Sequence, residues 1–416
     1  MAVLPGARRP SIAFIRIVWR RAVLCYNRLC RGCFAVSAYP PEQGGLHLSG
    51  TMDYRAKWRA ERERRTRRRV LIAAGICGAL LVVAVLCLRT GATAEVWHRD
   101  MEDECPPEFA IAGERVVCAL SRGRVMALHL DNGDPAWQEP FEGSIGFHEA
   151  PVVANRAVIA AGDGGFVHAL SLTTGRPLWK VETGDAMRCP PLVERGVVYV
   201  GTDGGRFLAL EVADGRERWR HEIGAAISSG SVLVGKTVVL GTTDGRIVGL
   251  NVSDGTPRWL RTVSMPVVAR PVGVGRRVLI GTDGGSLYSL DAATGLSTAS
   301  ARLPGGGLIR ADLIADANLV FAATTCGWVA AYDARTLEQR WARKIGPELS
   351  AGPVSEGEHL LCAAGDDGIL ALDKSDGKVR RRFRCPGKVR GRIATGSGMI
   401  VAATDDAVLF ALHTPE

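Results

Sequence analysis

Residues Tyr199 to Trp219 read YVGTDGGRFLALEVADGRERW. Two short strand-type runs flank Asp203-Gly204-Gly205, and Asp214-Gly215 turns the chain again toward a third. Val198, Val200, Phe207 and Leu210 carry the alternation of a half-buried strand. The same text recurs along the chain. Aligned on the leucine that closes "AL", it returns at Leu128, Leu170, Leu210, Leu250, Leu290, Leu372 and Leu412, with Tyr332 in the same place. Successive anchors lie 42, 40, 40, 40, 42, 40 and 40 residues apart.

Three further columns keep the register. The residue before the anchor is always small: Ala127, Ala169, Ala209, Gly249, Ser289, Ala331, Ala371 and Ala411. Nine before it lies a second small column: Ala119, Ala161, Gly201, Gly241, Gly281, Ala323, Ala363 and Ala403. Small residues at fixed strand positions imply neighbouring sheets too close for larger side chains. Nine after the anchor stands a tryptophan, at Trp137, Trp179, Trp219, Trp259 and Trp341, replaced by Ala299 and Arg381 in two copies. A period near 40 with several strands per unit defines a repeat array, and four-stranded units of this length favour a propeller.

Trp97 lies 40 residues before Trp137 but has no anchor of its own. At the far end, Leu412 has an anchor but no tryptophan strand after it. The two partial units complement each other. The strand around Trp97 is therefore expected to complete the blade built from residues near 388–412 and close a ring of eight. The fold class expected is all-β: an eight-bladed propeller of four-stranded blades over 95–416, preceded by one transmembrane helix.

The formal net charge of +9 is unevenly placed. Residues 1–69 hold 16 Lys+Arg against 4 Asp+Glu, while the remainder is slightly acidic. A near-neutral propeller argues against a nucleic-acid partner. Residues 52–69 are a basic tail ending Arg64-Arg65-Thr66-Arg67-Arg68-Arg69, and Val70 to Leu88 then run without a charge. That stretch spans roughly 28 Å as a helix, enough for a bilayer core. The arginines before it place the N-terminus in the cytoplasm and the propeller in the periplasm or outside the cell. An uncleaved signal anchor is expected, although Ala92-Thr93-Ala94 offers a cleavage site as the alternative. Residues 1–51 hold no repeat and read as disordered or as an extension ahead of a start at Met52. Their Cys25, Cys30 and Cys33 lack a fourth ligand at zinc spacing.

The repeat resembles the pyrroloquinoline-quinone-type (PQQ-like) propeller repeat, carried by Asp163-Gly164 through Leu170, Thr174-Gly175 and Trp179, and by the same residues of the opening stretch. The resemblance covers about 95–416 and implies that each tryptophan packs between adjacent blades. The family includes quinoprotein dehydrogenases and non-enzymatic propellers. Among the latter is the lipoprotein of the outer-membrane β-barrel assembly machine, the branch this chain resembles. The dehydrogenases use a vicinal disulfide over the quinone, and no two cysteines here are adjacent. Asp163, Asp203, Asp244 and Asp283 read as turn formers rather than Ca²⁺ ligands. His168 reads as a core residue, and the six propeller cysteines chiefly as isolated thiols. No catalytic residue, cofactor or metal is therefore expected, and a non-enzymatic scaffold binding a protein or cell-envelope partner is the reading. A quinone-dependent dehydrogenase and an extracytoplasmic ligand sensor are the alternatives. The irregular stretches Glu139 to Glu149, Leu303 to Arg310 and Arg380 to Arg392 are the expected contact loops, with Phe141, Phe147, Leu308, Arg310, Arg390 and Arg392 as contact residues.

Overall fold

A computed structural model describes residues 95–103, 107–143, 146–349, 351–365 and 368–414. The expectations for residues 1–51, 52–69 and 70–88 lie outside the described residues, as does Cys105. Among the described residues no helix is long and apolar enough to cross a membrane.

The 199–219 stretch lies in a sheet of four antiparallel strands, Leu192–Glu194, Val197–Gly201, Arg206–Glu211 and Glu217–Glu222. The strand Val197–Gly201 is buried along its whole length. Glu217–Glu222 buries little more than Trp219 and exposes most of its polar residues. That gradient follows the sequence: apolar runs in the middle strands, alternation at the rim. Eight such sheets follow one another, and the strands that begin each blade pack on their neighbours around the centre. We number the blades 1 to 8 from residue 108 onward.

Blade 8 confirms the complementary ends. Its strands are Val389–Gly396, Met399–Thr404 and Val408–His413, and its outermost strand is Glu95–Asp100. Glu95 pairs with Leu412, and Trp97 with Ala411. Val389–Gly396 packs against Glu108–Ala112 of blade 1, so the ring is closed.

The tryptophans lock each blade to the next. The indole Nε1 of Trp97, Trp137, Trp179, Trp219, Trp259 and Trp341 donates to the carbonyl of Leu130, Leu172, Val212, Val252, Ala292 and Lys374, at 2.7–3.1 Å. Each acceptor lies two residues beyond the next blade's anchor. Three residues further on, each indole covers a glycine: Gly133, Gly175, Gly215, Gly255, Gly295 or Gly377. A Cβ there would come within 2.4–2.8 Å of the ring. These glycines have φ of 68–75°, so both backbone and space select glycine.

Where Ala299 replaces the tryptophan, Leu337 replaces the glycine. It is buried at 4% exposure, clusters with Ala299 and Ala301, and holds φ at 56°. The large residue has moved across the interface.

The small columns have a different cause from the one expected. The column before the anchor faces its own blade's tryptophan across the strand pair, as in Ala209↔Trp219 and Gly249↔Trp259. A Cβ on Gly249 would lie 2.2 Å from that indole. The other column lies under a plug from the loop that leaves the blade: Ile227 over Gly201, Val267 over Gly241, Ile309 over Gly281. Crowding therefore comes from the blade's own tryptophan and from a plug on the loop into the next blade, rather than from direct approach of two sheets.

Candidate functional site

The loops leaving the outermost strands share one face with the turns between second and third strands. Ile227, Val267 and Ile309 donate their amides to Thr202, Thr242 and Thr282 in those turns. Phe147 belongs to the same column. It donates to the Leu120 carbonyl, is 3% exposed, and packs beside Gly162. Its side chain is thus a core plug turned away from the surface. Phe141 lies on the short outermost strand Phe141–Glu142 of blade 1, half-buried with its ring 5.0 Å from that of His168. His168 is buried, and burial together with Lys180 lowers its pKa to about 4.

The other four expected contact residues lie elsewhere on the ring. Leu308 is half-buried, and its loop is stitched to blade 6 by hydrogen bonds in both directions with Thr325. Arg310 forms a two-pronged pair with buried Asp283, at 3.1 and 3.0 Å. Arg390 is exposed. Arg392 and Arg310 are brought together in the wall of one cavity of about 460 Å³ at the channel mouth, with Glu108, Asp312 and Thr324.

This cavity adjoins a charged girdle. Ala110, Val272, Ile314 and Ala394 occupy equivalent first-strand positions in blades 1, 5, 6 and 8. Two residues before each stands a charge: Glu108, Arg270, Asp312 and Arg392. Glu149 of the loop into blade 2 joins them electrostatically. Burial pushes Glu108 up to about 7, with Arg392 opposing and Asp312 reinforcing. Burial pushes Glu149 up to about 8, reinforced by Glu108 and Asp312 and opposed by Arg270 and Arg392. The girdle therefore has one carboxyl group more than it has guanidinium groups. Glu108, Glu149, Asp312 and Arg270 were not among the residues anticipated. Glu108, Arg270 and Asp312 share with Arg392 one more repeat column, charged in four of eight copies, while Glu149 lies one residue ahead of it.

Elsewhere on this face Arg188 bridges Asp163 at 3.7 Å and Asp203 at 3.5 Å, and His148 lies 3.2 Å from Asp163. The repeated aspartates thus sit in or beside turns and pair with basic side chains. Cys118, Cys189 and Cys362 are free and buried, with thiols pushed up to about 12 by burial.

A closed eight-bladed propeller with tryptophan-docked, PQQ-like blades is the class these features define. The PQQ_2 family, described as outer membrane protein assembly factor BamB, matches residues 121–324, 267–344 and 325–415, and the chain belongs to that family. It is similar to the outer membrane protein assembly factor BamB of Burkholderia pseudomallei (strain K96243), 32% identical over 113 residues. That match spans 27% of this chain and 29% of the relative's length. Among solved structures, BamB from Moraxella catarrhalis matches with TM-score 0.66 and 19% identity over 77% of this chain and 99% of that one. Sqt1 from Saccharomyces cerevisiae matches with TM-score 0.68 and 11% identity, over 78% and 100%. Quinohemoprotein alcohol dehydrogenase from Comamonas testosteroni matches with TM-score 0.62 and 12% identity, over 79% and 78%. At these identities the structures share the fold alone.

Proposed function

We propose that the protein is a binding scaffold in outer-membrane protein assembly, presenting the face that carries the channel mouth to a protein partner. The observation that carries this reading is the family match along almost the whole ring. Short loops on a closed, internally locked ring suit a rigid recognition surface. In the same reading, residues 70–88 anchor the chain in a membrane, the N-terminus is cytoplasmic, and the propeller lies outside the cytoplasm. Phe141, Leu308, Arg310, Arg390 and Arg392 are the proposed contributors to contact, and no catalytic role is assigned.

The test is crosslinking of the full chain in membranes followed by purification and identification of what is attached. An envelope-assembly protein, lost on Arg390→Glu, is expected. Recovery of no such partner, together with quinone-dependent reduction of an artificial electron acceptor, would replace the scaffold with an oxidoreductase. Protease accessibility of the propeller in intact and opened cells tests the topology separately.

A further inference from the structure

The channel-mouth cavity is built as a site of its own. Its volume opens where blade 7 places Gly352 in the girdle column, between Asp312 of blade 6 and Arg392 of blade 8. A second observation lies in its wall. Thr202, Thr242 and Thr282 use their hydroxyls to accept the amide four residues on, at 3.0–3.3 Å. Thr324 stands in the same column, lines the cavity and is 2% exposed, yet its hydroxyl has no hydrogen-bond partner. A buried hydroxyl without a partner costs stability unless a ligand or water meets it.

We propose that this cavity binds an organic cation, an alkylammonium or guanidinium group, among Glu108, Asp312 and the Thr324 hydroxyl. The sign follows from the charges facing the space. Glu108 and Asp312 share the wall with Arg392, with Glu149 and Arg270 coupled to them electrostatically from beyond it, while Arg310 is already paired with Asp283, so the ionised wall carries one negative charge in excess. One positive charge completes the set. Among the described residues no three His, Cys, Asp or Glu side chains converge as a metal-ligand set. An ammonium group donates three hydrogen bonds and tolerates separated acceptors. Its source is either a lysine or arginine side chain on a partner or a free amine. The site does not depend on the scaffold reading.

The test is calorimetric titration of the full-length protein with n-butylammonium and with N-acetyl-lysine methylamide. Both probes stay charged across neutral pH. Glu108 and Glu149 shed protons as the cation enters, so affinity is expected to rise about tenfold from about pH 6 to about pH 8.5. Thr324→Val is expected to weaken binding severalfold, and Arg392→Gln to tighten it by removing a competing cation. Arg392→Gln is checked for an unchanged thermal midpoint, and Thr324→Val for a midpoint no lower than the parent's. Tighter binding of the lysine derivative indicates a side chain as natural occupant, and tighter binding of butylammonium a free amine; either supports the site. The proposal is overturned by no binding of either probe, by affinity that falls with rising pH, or by acetate binding that Arg392→Gln abolishes.

Discussion

Trp341 shows what one side chain does in this ring. Its indole bonds the Lys374 carbonyl at 2.8 Å and covers Gly377. Trp341→Phe keeps most of the apolar contact but orphans a buried carbonyl, so a loss of about 1–2 kcal/mol is expected in denaturant unfolding. Trp341→Ala also leaves a void, at about 3–5 kcal/mol. Glu149 makes a prediction of opposite character. Its pKa is held near 8, against an ordinary 4.5, so the folded state keeps a proton that the unfolded chain releases. That contribution is full below about pH 4.5 and is lost as pH rises through 8. Unfolding free energy is expected to fall by roughly 1–3 kcal/mol across that window, allowing for screening by channel water. Glu149→Gln flattens the slope; an unchanged slope removes Glu149 as its source. At this scale the sequence displayed which positions must be small but not what crowds them. The neighbour of Gly249 is found only once the third and outermost strands are put in register. The plug role of Phe147 stayed hidden for the same reason, since its column varies through Met187, Ile227, Val267 and Ile309.

Between blades 5 and 6 the tryptophan–glycine lock is exchanged for Ala299 and Leu337. Ala299→Trp alone drives an indole into the place of a buried leucine, and a cost of about 2 kcal/mol or more is expected. Leu337→Gly alone opens a cavity, although it relieves a positive φ, and is expected to cost about 2 kcal/mol. The double variant restores the lock used elsewhere and is expected to recover most of both losses, a coupling that a double-mutant cycle measures directly. Additive losses would show that the two positions do not share one space. The sequence showed the gap in the tryptophan column. It could not show the compensation, because Leu337 lies 38 residues away and looks like an ordinary apolar residue at a turn.

The ring as a whole depends on a strand borrowed from the front of the propeller. Alternate amides of Glu95–Asp100 face Val408–His413, so one of two neighbouring positions must spend its N–H in the ladder. His98→Pro and Arg99→Pro are therefore expected to differ, the worse one costing about 3 kcal/mol or more. It is also expected to raise aggregation through a newly exposed strand edge. Equal, small effects would mean that closure contributes little. Closure was legible because the repeat breaks at both ends in complementary ways. The charged girdle was legible only as a column charged in four of eight copies, because its members are scattered from residue 108 to residue 392 and meet only when the circle is drawn.

Glu95 and Leu412 lie directly across from each other. A pull on the chain ahead of Glu95 would therefore reach the propeller first through the strand that fastens it shut. Tension would load those few backbone bonds and the Trp97 indole before it strained any of the seven other blades.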